Sequence, residues 1–281
     1  MLIKFILIQF FFIFALLMVK KLRIGLLNIM PEAEKYEPSI LRLLTQQTIA
    51  VETVLIKSGI HAYKSSDKQH LEKYYINFKE AVHTKHLDGL ILTGAPVETF
   101  DFKSISYWKE LLEIFSYAQQ HIISTLGICW GGIAIGKYLG IDKTVFDEKI
   151  FGVFPSTYLH KNHWMCDEAN PVFDCPQSRY AGWNEKDLDM AEQNKTIRLL
   201  VRSNEAGPFI FESCDQRFIA HLGHPEYDAG RILFEYERDR LNGLTHSPSN
   251  FNVNNPIDSW QQSSRHFFGK WLEMIKNKVQ N

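Results

Sequence analysis

Three residues able to share and relay one proton stand out in this chain: Cys129, His224 and Glu226. Cys129 lies in Thr125-Leu126-Gly127-Ile128-Cys129-Trp130-Gly131-Gly132-Ile133, where an apolar run from Ile122 to Ile128 meets a helix-like segment, Ile133 to Leu139. A nucleophile on a sharp strand-to-helix turn needs small neighbours, and the helix N-terminus favours its thiolate. A free cysteine is as often a small buried apolar residue, so Gly-x-Cys-x-Gly alone leaves both readings open. A thiolate nucleophile also needs a base and a third group to orient that base. His224-Pro225-Glu226 supplies both types directly after the apolar stretch Phe218 to Gly223, with Pro225 stiffening the turn between them.

The elements that must position these groups follow a repeating order. Arg23 to Asn28, Val51 to Ile56, Asp88 to Thr93 and Ile122 to Ile128 read as strands. Pro38 to Gln46, Leu71 to Val82 and Tyr107 to Ala118 read as intervening helices, the last with Trp108, Leu111, Leu112 and Phe115 on one face. Strands alternating with helices imply an α/β, doubly wound, mainly parallel sheet, whose ligands gather at the carboxyl ends of the strands. Both the Gly94-Ala95-Pro96 turn and Cys129 sit at such ends. Phe151 to about Asp187 carries Pro155, Pro171 and Pro176, several aromatics and few regular runs, which predicts a loop-rich insertion or lid. Ile197 to Val201 and Pro208 to Glu212 resume short strands, Arg231 to Leu241 is a helix, His246 to Pro256 a loop, and Trp260 to Lys278 a closing amphipathic helix.

Composition narrows the function. With 281 residues, 45% of them hydrophobic, the chain can form one large domain. A net charge of -1 with scattered basic residues argues against a nucleic-acid binder and for small-molecule partners. The four cysteines, Cys129, Cys166, Cys175 and Cys214, show neither a CxxC pair nor metal-ligand spacing, which suits a reducing compartment, and the cytoplasm is expected. His160 and His163 stand three apart with no further ligand nearby, so no metal is expected. Residues 1–21 form an apolar leader, borderline in length for a membrane anchor. It lacks a small-x-small cleavage site, and a true start at Met18 is preferred to an anchor, with residues 22–281 as a single domain and no membrane partner expected unless the leader is real.

The motifs taken together resemble the class I glutamine amidotransferase fold, which is flavodoxin-like, through Gly127-Ile-Cys-Trp-Gly131 and His224-Pro-Glu226. Longer stretches are similar to one branch, the homoserine O-acyltransferase family. They include Leu27-Asn-Ile-Met-Pro31, Asp88-Gly-Leu-Ile-Leu-Thr-Gly-Ala-Pro-Val-Glu98, Phe151-Gly-Val-Phe154, Ser178-Arg-Tyr180, Gly223-His-Pro-Glu-Tyr-Asp228, and Glu235-Tyr236 with Arg238-Asp239. The resemblance runs from Ile24 to about Trp271.

It implies an acyltransferase of methionine biosynthesis that works by ping-pong, with an acyl-CoA as co-substrate and no permanently bound cofactor. Cys129 would carry the acyl group, His224 would deprotonate the acceptor hydroxyl, and Glu226 would hold the imidazole. The amides of Trp130 and of Gly94-Ala95 would form the oxyanion hole. Positions matching Lys149, Ser178 and Arg238 contact the amino-acid acceptor in the family, although each alone would pass for an ordinary surface residue. Glu98 stands where glycine would admit a succinyl carboxylate. Two carboxylates about 4 Å apart repel by roughly 4 kcal/mol at an effective dielectric near 20, so acetyl-CoA is the expected donor over succinyl-CoA. The chain departs from the family pattern at Glu32-Ala33, where lysines are usual and Lys35 is a displaced substitute, and at Gly127, Pro155-Ser156 and Gln177. These departures are expected around the acceptor pocket, which leaves homoserine favoured and serine open. A homodimer and a glutamine amidotransferase subunit stay open as alternatives of assembly and of class.

Overall fold

The computed structural model describes residues 21–84, 86–244 and 246–280. The leader reading therefore lies outside the described residues, Lys21 excepted. Among the described residues no helix is long and apolar enough to cross a membrane.

Strand β1 (Leu22–Leu27) enters the core and is followed by helix α1 (Ala33–Thr45) and strand β2 (Val51–Lys57). The helix expected over Leu71 to Val82 is instead two short ones, α2 (Lys68–Tyr74) and α3 (Phe78–Thr84), split by β3 (Ile76–Asn77). Helicity stops at Tyr75 because its backbone is extended and its hydroxyl is held by Glu37 and Asn28 at 2.5 and 2.9 Å. Ile76 then pairs with Ile56, and Asn77 caps the second helix through the Glu80 amide.

The core continues with β4 (Gly89–Leu92), α4 (Trp108–His121), β5 (Ser124–Ile128) and α5 (Trp130–Tyr138). Every residue of β4 and β5 is buried, as befits central parallel strands covered on both faces. Helix α4 buries Leu111, Ile114, Phe115 and Ala118, so its apolar stripe is centred one position away from the expected Leu112.

The expected loop-rich insertion is not there. Strands β6 (Lys143–Tyr158) and β7 (Val172–Trp183) form a long antiparallel hairpin, with the true loop confined to residues 159–171. The prolines misled because they sit where the ladder needs no donor. Pro176 is on β7, the last strand of the sheet, and Pro155 is on the part of β6 that pairs only with β7. Helix α6 (Glu185–Gln193), strands β8 (Ile197–Ser203), β9 (Gly207–Ser213) and β10 (Phe218–His221), and helices α7 (Ala229–Leu241) and α8 (Gln261–Gln280) complete the described chain.

All ten strands join one sheet in the order β3-β2-β1-β4-β5-β10-β9-β8-β6-β7. Neighbouring strands are parallel among the first six and antiparallel among the last five, β10 belonging to both sets. The doubly wound parallel half bears out the expected α/β class. Its strand order reverses beside β1, and the carboxyl ends of β1, β4, β5 and β10 converge there.

Candidate active site

Cys129 follows β5 and caps α5 with φ 51 and ψ -111, a backbone that a side chain adopts only under tertiary constraint. The constraint is local. A Cβ on Gly127 would lie 2.3 Å from the Gly131 carbonyl oxygen, and one on Gly131 would lie 2.5 Å from that of Leu92. The two glycines thus allow strand and helix to meet closely enough to aim the cysteine into the cleft. Trp130 opens α5, so its amide is one of the first-turn donors that the helix itself leaves unused. Gly94 and Ala95 line the cleft opposite, with Gly94 placed 3.4 Å, by its built Cβ, from Cys129 Cβ.

His224 arrives from β10. Its amide bonds the Pro176 carbonyl of β7 at 2.8 Å, and Gly223 leaves room for Cys175 and Gln177 where a Cβ would clash with both. The imidazole places Nδ1 2.7 Å from Glu226 Oε1 and lines the same cleft as Cys129. A carboxylate only accepts, so Nδ1 carries the hydrogen and Nε2 is the nitrogen left to exchange a proton. Tyr227 stacks on the imidazole with ring centroids 4.0 Å apart. Burial works against charging His224, but Glu226 and the Cys129 thiolate outweigh it and hold the imidazolium well above the usual histidine range. Cys129, His224 and Glu226, the residues expected to act as nucleophile, base and orienter, are therefore brought together by the fold.

The cleft in front of them measures about 770 Å³. Lys149, Ser178 and Arg238 all line it and converge on two acidic residues of α7. Lys149 Nζ lies 2.6 Å from Asp239 and 3.4 Å from Glu235, the Ser178 hydroxyl donates to Glu235, and Arg238 grips Asp239 through Nε and Nη2 at 3.0 and 2.7 Å. Lys149 is only 10% exposed, whereas Arg238 is 44% exposed and presents a free edge to solvent. The hairpin supplies the first two. Residues 146–149 bulge opposite Tyr180 alone, which turns Lys149 inward. Burial would raise the Glu235 carboxyl, but Lys149 and the hydrogen bonds from Ser178 and Tyr227 bring it down to about 2. Glu98 also lines the cleft, on a loop fastened from below by Lys143, whose ammonium donates to the carbonyls of Glu98 and Phe100.

Sequence reasoning missed four participants. Tyr36, Glu235, Asp239 and Arg231 line the same cleft, and only the last three share a helix whose spacing could have flagged them. It also misplaced most of the departures. Glu32 and Lys35 line the cleft, but Gln177 is buried with its oxygen on Arg179 Nε at 3.0 Å, Gly127 lies in the elbow, and Pro155-Ser156 lie near the end of β6 outside the cleft lining. Among the described residues no group of histidine, cysteine and carboxylate side chains could hold a metal ion.

The fold is similar to that of solved glutamine amidotransferases. One from Thermotoga maritima aligns with TM-score 0.56 at 13% identity over 93% of this chain and 100% of its own. One from Methylobacillus flagellatus aligns with TM-score 0.56 at 12% identity over 91% and 95%. Sequence relatives are nearer. A homoserine O-acetyltransferase of Geobacillus kaustophilus is 38% identical over 90% of this chain and 85% of its own length, and one of Clostridium botulinum is 37% identical over 90% and 84%. A homoserine O-succinyltransferase of Proteus mirabilis is 32% identical over 90% and 83%. The family model of homoserine O-succinyltransferases matches residues 17–280, and with this elbow, relay and acidic-basic cleft in place the chain belongs to that family.

Proposed function

We propose that the protein is a homoserine O-acyltransferase of methionine biosynthesis that takes acetyl from acetyl-CoA and passes it through a Cys129 thioester. Cys129 Sγ attacks the donor carbonyl, and the departing CoA sulfur takes the proton held by His224. The acceptor hydroxyl then gives its proton to His224 as its oxygen attacks the acyl carbon, and collapse returns the Cys129 thiolate. Amides of Trp130 and Gly94-Ala95 meet the developing oxyanion, and Arg238, Lys149 and Ser178 hold the amino-acid acceptor. One observation carries the reading: the Cys129–His224–Glu226 relay opens into the same cleft as that basic and acidic cluster. Glu98 in the lining of this cleft supports acetyl over succinyl, through size and like charge. Four thiols with no disulfide among them, one of them exposed, support a cytoplasmic setting.

The test is free CoA release by the purified protein from acetyl-CoA and from succinyl-CoA, each with homoserine and with serine. Mass spectrometry after donor alone should show one acetyl group on Cys129. Equal turnover with succinyl-CoA overturns the donor assignment, preference for serine overturns the acceptor, and ammonia release from glutamine without CoA chemistry overturns the class.

A further inference from the structure

Glu226 is completely buried and holds two donors on one oxygen. His224 Nδ1 and the Tyr36 hydroxyl both lie 2.7 Å from Oε1, while Oε2 has no hydrogen-bond partner among the described residues. Tyr36 comes from α1, 190 positions earlier in the chain, and is itself only 5% exposed. We propose that Tyr36 is a positioning residue that fixes the Glu226 carboxylate and sets the proton affinity of the His224–Glu226 pair through its hydroxyl. This rests on the acyl-transfer reading of the cleft.

The physical argument is one of competition for the same oxygen. A donor on Oε1 draws charge away from the carboxylate, which then stabilises the imidazolium less, and it locks the carboxylate rotamer that presents Oε1 to Nδ1. The other charged or titratable groups around the pair do not reach that oxygen as donors. Arg42 of α1 approaches only the Glu226 backbone carbonyl, at 3.4 Å. Cys129 has no hydrogen bond to Glu226 among the described residues and acts on the imidazole by its charge. From α7, Arg231 and Glu235 pair with each other at 3.4 Å, and Tyr227 donates to Glu235. His221 of β10 and Cys175 of β7 act on the pair only through space. The proton affinity of the base is thereby tied to the hydroxyl of a residue that also lines the cleft.

Tyr36→Phe keeps the ring and removes only the donor. The acid limb of kcat/KM for the acceptor, which reports His224 as base in the acyl-enzyme, should move to higher pH by about half a unit to one unit. At pH values below the limb the same constant should fall about three- to tenfold, and the His224 resonance in 15N-histidine NMR should titrate at correspondingly higher pH. Replacing Tyr36 by 3-fluorotyrosine, a stronger donor, should shift limb and resonance the other way, and this variant decides the matter if the phenylalanine protein does not fold. Limb and resonance unmoved in both overturn the proposal, even with kcat reduced. A wild-type protein that forms no thioacyl adduct instead sinks the acyl-transfer reading, while the NMR titration still tests Tyr36.

Discussion

The amide of Cys129 donates to the carbonyl of His221 at 2.7 Å, extending by one rung the parallel pairing of β5 with β10. Cys129 and His224 therefore leave neighbouring strands from a common reference. Cys129 steps off β5 into a helix, and His224 follows three residues beyond His221 on a turn tied back to β7. The relay depends on how strand β5 and helix α5 close on each other, and small-residue substitutions should expose that dependence first.

Gly127→Ala is expected to cost about 3 kcal/mol of stability, because its Cβ would meet the Gly131 backbone at 2.3 and 2.4 Å and only a shift of helix α5 relieves the clash. Urea unfolding measures the loss. Acyl-enzyme formation should fall along with it, since the same shift moves Cys129. Unchanged stability would mean that the elbow is looser than its geometry requires.

Removing the charge of the orienter should act on pH as well as on rate. Glu226 helps hold the imidazolium of His224 above its ordinary range, so Glu226→Gln should move the acid limb of kcat/KM for the acceptor to lower pH. The rate at the plateau should fall by about a hundredfold or more, as when a triad carboxylate is neutralised. The limb is read from initial rates across pH 5 to 9 at subsaturating acceptor. A limb that stays in place would mean that Glu226 does not govern His224.

Much of this site is legible from sequence because turns carry their own chemistry. The glycines around Cys129, Pro225 between base and orienter, and the Gly94 turn each announce a strand end, and the parallel half of the sheet follows from the strand and helix alternation. What escapes is whatever depends on distant partners. Tyr36 sits in the first turn of a helix on its buried side, where an aromatic is usually core, and its relation to Glu226 exists only once α1 packs beside the turn after β10. Proline hid the β6–β7 hairpin because strand edges cannot be recognised before the sheet order is known. Tyr75 ended a helix through a side-chain network that involves Asn28 and Glu37, which local periodicity does not report.

Donor choice should respond to the residue that narrows the cleft. Glu98→Gly removes a carboxylate from the lining, and the ratio of kcat/KM for succinyl-CoA to that for acetyl-CoA should rise about a hundredfold. That is less than the roughly 4 kcal/mol Coulomb figure would give, because the side chain is partly solvated. Competing the two donors in one assay gives the ratio directly. An unaltered ratio would move donor selection away from this loop. Lys143→Met, which frees the carbonyls of Glu98 and Phe100, should blur the preference without inverting it.

Acid should destabilise the protein through a residue just behind the relay. His221 is buried against Phe209 and Phe267, at centroid distances of 5.6 and 5.4 Å, and its Nδ1 has no hydrogen-bond partner among the described residues. Burial first, and His224 second, push its imidazolium down to about 3. A folded-state value below the unfolded one of about 6.5 means that the native state binds fewer protons in that window, so the contribution is complete above pH 6.5 and is lost as pH falls toward 3. The full loss amounts to about 5 kcal/mol, of which roughly 3 kcal/mol is gone by pH 4. Glu235, brought down to about 2, adds a further loss in the same direction below about pH 4.5. His221→Phe keeps an apolar ring in place and removes the titration, so its urea midpoint should drop less between pH 7 and pH 4 than the wild-type midpoint does. Equal drops in the two proteins would show that His221 takes up its proton without opening the fold.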